Sequence, residues 1–195
     1  MKTPIYYPIF LDLRGKKSVV IGGGKVAERK VLGLLEAGAS VVVVSPELTK
    51  RLKREKEKGR ITHIPSRYKR QYLKGASLII AATDCTEENK KISLDAGTIP
   101  VNVVDTPELC SFIVPSIVRR GPLTIAISTS GSSPALAKEI RLELERLYPE
   151  SFGRFLKDTM AKRKKIIKEI KDKKQRERAL KALVPKGIIS SIRGR

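Results

Sequence analysis

The stretch Lys17-Ser-Val-Val-Ile-Gly-Gly-Gly-Lys-Val-Ala-Glu-Arg-Lys30 leaves this chain few ways to fold. Val19, Val20 and Ile21 close a short β-branched run of the kind that forms a strand buried on both faces. Three glycines follow, and beyond them apolar residues recur at helical spacing over residues 25–37. Gly22, Gly24 and Ala27 stand at the G-x-G-x-x-A spacing of a dinucleotide-binding turn. Each small residue has its own reason. Gly22 allows a tight strand-to-helix turn, Gly24 has no Cβ to hold a pyrophosphate off the backbone, and Ala27 lets helix and strand pack closely. The helix start offers phosphate oxygens a partial positive charge and N–H groups that have no intrahelical acceptor. Gly23, Lys25 and Val26 complete the expected cofactor contact, the last two through backbone groups.

A second apolar run, Ser40–Val44, completes a βαβ unit, the setting that separates a nucleotide site from a merely structural turn. Ser45 is placed to cap, and Pro46 to begin, a charged helix over residues 47–58 that Gly59 ends. Further strands are predicted at 61–64, 78–82 and 100–104, with a helix opened by Thr83 and Asp84 and running to about Ala96. The alternation predicts an α/β fold, a Rossmann-type doubly wound parallel sheet. Ahead of it, residues 6–13 are apolar and are expected to pack against the sheet edge. After Asp105 the pattern changes. Residues 111–119 and 123–129 read as a hairpin, a Ser/Gly-rich loop leads into a helix over 135–147, and Pro149 stops that helix. Residues 152–183 carry apolar side chains near helical spacing, and the tail from Pro185 is expected to fray. The expected division is a dinucleotide-binding domain at 1–110, a small αβ segment at 111–149 and a basic helical segment at 150–195.

No run approaches the ~18–20 apolar residues of a membrane span. The first residues lack the apolar core of a signal peptide, so a cytoplasmic protein is expected. Cys85 and Cys110, the 2 cysteines, have neither metal-ligand spacing nor histidine company, and no resident metal is expected. His63, the 1 histidine, falls in a short peripheral strand and is not a favoured catalytic candidate. The charge is unusual: 41 Lys and Arg against 20 Asp and Glu, net +21, with 16 basic and 5 acidic residues in 150–195. Such a surplus implies either an anionic partner or a Lys-rich solvated face. No nucleic-acid recognition motif is present, and the tail has no aromatic beyond Phe152 and Phe155, which argues against nucleic acid.

Four ordered blocks carry a family resemblance. They are Pro8-Ile-Phe-Leu-Asp-Leu with the glycine stretch to Lys30, Ala81-Ala-Thr-Asp84, Val101-Asn-Val-Val-Asp105, and Ser111-Phe-Ile-Val-Pro-Ser-Ile117 with Ile127-Ser-Thr-Ser-Gly-Ser-Ser-Pro-Ala135. Over residues 5 to about 150 the chain resembles the precorrin-2 dehydrogenases of the siroheme synthase N-terminal type. The resemblance implies NAD-dependent oxidation of precorrin-2, a tetrapyrrole polycarboxylate, to sirohydrochlorin on the route to siroheme. It also implies a homodimer built through the segment after the Rossmann unit and, in some members, insertion of ferrous iron as a second substrate. Bifunctional members continue into a uroporphyrinogen methyltransferase domain, which is not expected here. The alternative is a dinucleotide-sensing module without catalysis.

Asp105 ends a predicted strand at the carboxyl edge of the sheet, taken to lie beside the fingerprint strand, where open α/β sheets bind ligands. A carboxylate there is able to accept a proton as the macrocycle is oxidised, or simply to cap the Asp-Thr-Pro turn. The resemblance favours the catalytic role. Glu47 follows the second strand, where an acid meets the adenosine ribose, or it serves as a first-turn helix acid. Lys50 and Arg51 lie close enough to tolerate a 2′-phosphate, so NAD over NADP rests on the resemblance. Ser45 and Pro46 belong to the same cofactor wall. Thr83 lines the crevice, caps a helix, or does both. The loop from Ser128 to Ser133 is either an anion cradle or a strand-to-helix turn.

Overall fold

The computed structural model describes residues 5–184. Five parallel strands, β1 Lys17–Ile21, β2 Ser40–Val44, β3 Ile61–Ile64, β4 Leu78–Ala81 and β5 Val101–Val103, form one sheet in the order β3-β2-β1-β4-β5. Helix α1 (Lys25–Glu36) follows β1, α2 (Lys50–Glu57) follows β2 and α3 (Thr86–Ala96) follows β4. Alternate residues of a strand face opposite sides, so continuous β-branched runs build two apolar layers. Val20, Val41, Val43 and Ile80 pack with Ala27, Val31 and Leu34 of α1 and Leu52 of α2. Val19, Ile21, Ile79, Ala81 and Val103 pack with Ile92 and Ala96 of α3. The strand order reverses direction between β1 and β4, and a crevice opens at their carboxyl ends.

Helix starts depart from expectation where long-range hydrogen bonds choose the cap. Helix α2 begins at Lys50 rather than Glu47, because Thr49 Oγ1 accepts the Leu52 N–H at 3.2 Å. The Ser45 N–H stays in the sheet, bonded to Ile64 O at 3.1 Å, so Ser45, Pro46 and Glu47 form a loop instead of a cap and first turn. Helix α3 begins at Thr86 rather than Thr83, whose hydroxyl is bonded to Asn89 Oδ1 at 2.8 Å. Residues 6–13 do not cover the sheet edge: Leu13 is buried, but Tyr7, Ile9, Phe10 and Leu11 are exposed. Strand β1 has β2 on one side and β4 on the other, so the chain entering it meets no free edge.

Packing divides the described chain into two compact units, one of residues 5–114 and one from Pro115 onward. The apolar residues 111–114 belong to the first unit, not to a hairpin strand. Ser111 Oγ accepts the Val101 N–H at 2.8 Å, Asn102 Nδ2 donates to Phe112 O at 3.1 Å, and Phe112 packs on the core. The hairpin is correspondingly shorter, β6 Ser116–Arg120 paired antiparallel with β7 Leu123–Ile127. Helix α4 (Pro134–Leu147) follows, capped by Ser133 Oγ, which accepts the Leu136 N–H at 3.1 Å. Pro149 ends α4 and at once stands at the N-cap position of α5 (Glu150–Glu169), with no side-chain capping bond; after a break, Asp172 accepts the Gln175 N–H at 2.7 Å and α6 (Lys173–Ala182) begins. The Arg120 guanidinium ties this unit together, donating to Tyr148 O at 2.6 Å and Glu145 O at 3.3 Å and pairing with Glu150 at 3.2 Å. The tail from Pro185 lies outside the described residues.

Candidate active site

A cleft of about 710 Å³ opens at the carboxyl ends of β1, β2 and β4. Gly22, Gly23, Gly24, Ser45, Pro46, Glu47 and Thr83 all line it. The three glycines do different work. Gly22 holds φ +120 and donates its N–H to Val44 O at 2.9 Å, and a Cβ there would run into the Ala82 carbonyl. A Cβ on Gly23 would meet the Glu47 carbonyl and come within 2.7 Å of Ser45 Oγ, so the β2–α2 loop lies directly on the glycine turn. Gly24 is the exception: a Cβ there meets nothing within 4 Å. It is the N-cap of α1, and beside it the first-turn N–H groups at Lys25 and Val26 have no intrahelical acceptor. Open space beside unpaired donors at a helix start is what a pyrophosphate requires, so these residues fit a dinucleotide.

The opposite wall is pinned at both ends. Ser45 O accepts from His63 Nε2 at 2.9 Å, and the Thr49 N–H donates to Gly23 O at 3.1 Å. Thr49 Oγ1 in turn donates to Glu28 Oε2 at 2.5 Å, while the other Glu28 oxygen lies 3.7 Å from Lys25 Nζ. Between these anchors Pro46 and Glu47 are exposed to the cleft, and Glu47 lies ahead of α2 rather than in its first turn. At the third wall Thr83 donates both its hydroxyl and its N–H to Asn89 Oδ1, at 2.8 and 3.3 Å, and Asn89 Nδ2 returns to Thr83 O at 3.0 Å. Thr83 thus shapes the cleft with a hydroxyl already engaged. Asn89 is buried and was invisible as a partner, since nothing in the sequence marks a mid-helix Asn as the clamp of a preceding turn. Tyr68, also on the cleft, donates to Asp95 Oδ2 at 2.8 Å; burial and then that carboxylate push its phenol well above the ordinary range.

Asp105 lies elsewhere on the same sheet edge. It follows β5, which pairs with β4, so β4 separates it from the fingerprint strand instead of the two being adjacent. Its backbone has φ +58, in the left-handed region. The turn is held by Cys110, whose sulfur accepts the Val103 N–H at 3.1 Å and donates to the Val103 carbonyl at 3.2 Å. Thr106 holds the N-cap position of the following single-turn helix without a side-chain capping bond, its hydroxyl donating to Val104 O instead, and among the described residues the exposed Asp105 carboxylate takes no hydrogen bond. Lys30 on α1 is a group that the sequence did not single out. Burial and then the Arg29 charge push its ammonium pKa down, while Cys110 and Asp105 act in the opposite sense.

The Ser128–Ser133 loop belongs to the second unit. Ser128 Oγ accepts the Ser130 N–H at 3.0 Å, and Thr129 Oγ1 both accepts the Ser133 N–H and donates to the Ser133 carbonyl, so these two hydroxyls, with that of Ser133, serve the turn into α4. Among the described residues no group of three or more His, Cys, Asp or Glu is placed to hold a metal ion, and no helix is long and apolar enough to cross a membrane.

A family model described as "Putative NAD(P)-binding" matches residues 9–116, and one described as sirohaem biosynthesis protein central matches residues 120–147. The siroheme synthase of Methylobacillus flagellatus is 52% identical over 149 residues, covering 75% of this chain and 32% of that protein. The siroheme synthase of Thioalkalivibrio sulfidiphilus is 41% identical over 175 residues, covering 89% of this chain and 36% of its own length. The chain thus spans about a third of the length of these curated relatives. The solved structure of SirC, a precorrin-2 dehydrogenase, superposes with a TM-score of 0.83 at 27% identity, covering 95% of this chain and 92% of that one. With a glycine cradle built for a dinucleotide and these matches running from residue 9 to residue 147, the chain belongs to the siroheme synthase and precorrin-2 dehydrogenase family.

Proposed function

We propose that this chain is an NAD-dependent dehydrogenase that oxidises precorrin-2 to sirohydrochlorin. The observation that carries the reading is the Gly24 cradle: open space, flanked by free helix N–H groups, in a fold that matches a precorrin-2 dehydrogenase along nearly its whole length. The bound dinucleotide supplies a hydride acceptor. The α1 start holds the pyrophosphate through the N–H groups of Lys25 and Val26. Glu47, exposed in the pinned loop, accepts from the ribose hydroxyls. Asp105, whose carboxylate takes no hydrogen bond among the described residues, takes a proton from the macrocycle or orients it. Thr83, fixed by Asn89, and Ser45 and Pro46 form the remaining walls.

The basic surplus suits a substrate of many carboxylates. Segment 111–149 supplies a homodimer contact in this reading, testable by light scattering at micromolar concentration, where a monomer contradicts it. The compartment is cytoplasmic. Ferrous iron is a candidate second substrate, read out by adding it to the oxidised product and following absorbance. The deciding assay is precorrin-2 with NAD⁺ and purified protein. Conversion that depends on NAD⁺ supports the dehydrogenase; tight NAD⁺ binding without turnover makes the chain a sensing module instead.

A further inference from the structure

We infer that His63 is a positioning residue for the cofactor, holding the Ser45 carbonyl so that Glu47 stands where the adenosine ribose binds, and thereby favouring NAD over NADP. The inference rests on the reading of the cleft as a dinucleotide site. His63 lies on β3, opposite Val43 of β2, and its ring spans the end of the β2–β3 ladder. The last backbone bond of that ladder is Ser45 N–H to Ile64 O at 3.1 Å; the next carbonyl, Ser45 O, has left the sheet and accepts from His63 Nε2 at 2.9 Å. The bond to a carbonyl requires that Nε2 carry a proton and donate it. The other ring nitrogen, Nδ1, is buried and has no hydrogen-bond partner among the described residues, so the ring's only hydrogen bond is the one to the loop.

The bond fixes the start of the loop that carries Glu47. Pro46 and Glu47 are exposed and hang between two anchors. The downstream anchor is double, with the Thr49 N–H on Gly23 O and Thr49 Oγ1 on Glu28. The upstream anchor has one side-chain contact, and His63 supplies it. Held in place, Glu47 accepts from a ribose diol and repels a 2′-phosphate. Freed, it swings aside and leaves Lys50 and Arg51, at the start of α2, to attract that phosphate.

Calorimetric titration of His63→Ala, His63→Leu and His63→Gln with NAD⁺ and NADP⁺ tests the assignment. Leu keeps the volume without a donor, and Gln restores an N–H at similar reach. Loss of one neutral hydrogen bond predicts NAD⁺ binding weakened about threefold to tenfold in Ala and Leu, with smaller loss for NADP⁺, so that the preference narrows. Gln should recover most of the affinity, and KM for NAD⁺ should rise in Ala and Leu with kcat unchanged. A merely structural histidine would lower the melting temperature and leave the ratio of the two affinities where it was. That result, or Gln behaving like Leu, overturns the inference. Wild-type protein with no affinity for either dinucleotide overturns the underlying reading instead.

Discussion

Gly23 and Gly24 are neighbours with opposite burdens, and this contrast is the sharpest claim at the scale of single residues. A methyl on Gly23 would strike the Glu47 carbonyl, whereas one on Gly24 meets open space. Gly23→Ala is therefore expected to cost about 1–3 kcal/mol, the range for forced overpacking, and Gly24→Ala less than about 0.5, as thermal unfolding of the two would show. Asp105 offers a cleaner test of chemistry than most aspartates. Its φ of +58 suits Asn as well as Asp, so Asp105→Asn removes the charge without adding backbone strain. Steady-state kinetics should show kcat reduced by about 10²- to 10⁴-fold with NAD⁺ affinity kept; a normal rate would return Asp105 to a turn-forming role. Tyr68 gives a pH signature. Its folded pKa is raised, so the bond to Asp95 contributes below the ordinary tyrosine value of about 10 and is lost as pH rises through the higher folded value. Tyr68→Phe should lower stability by about 1 kcal/mol at neutral pH, with the gap to wild type closing only in strongly alkaline buffer.

At the scale of elements, the sheet was legible in the sequence because buried parallel strands must be apolar on both faces. Ser40–Val44 and Leu78–Ala81 have no other plausible use. The starts of α2 and α3 were not legible. Ser45 and Thr49 are both competent caps, and the choice falls to Thr49 because Glu28, on another helix, receives its hydroxyl proton. Thr83 is likewise withdrawn from capping by Asn89. Residues 111–114 have the composition of a strand, yet their partners are Val101 and Asn102, a contact that no local pattern encodes. The same limit hid His63, whose hydrogen bond reaches back 18 residues. Within the second unit, Arg120 is the element-joining residue: its side chain is only 13% exposed and serves carbonyls at the end of α4. Arg120→Ala leaves those carbonyls without a charged donor and should cost about 1.5–3 kcal/mol in urea unfolding. Arg120→Lys should recover only part, lacking the planar fork.

For the whole molecule, the first unit supplies a cofactor cleft and the exposed Asp105 carboxylate on one sheet edge, while the basic run from Lys162 to Lys165 on α5 adds to a surplus of +21 that suits a polycarboxylate substrate. The cleft and its β2–α2 wall were legible from the glycine spacing in its βαβ setting, but the direct packing of that loop on the glycine turn was not, because Gly23 carries the contact through a missing side chain. The central claim is that oxidation of the tetrapyrrole depends on a dinucleotide held at Gly24. It is tested most directly by incubating precorrin-2 and NAD⁺ with wild type and with Gly24→Asp, following NADH and oxidised tetrapyrrole together. The account predicts that wild type forms the two in equal amounts, while the variant, folded to the same melting temperature, forms neither because its carboxylate occupies and repels the pyrophosphate position. Equal rates in the two proteins, or tetrapyrrole oxidation by wild type without matching NADH, would contradict it.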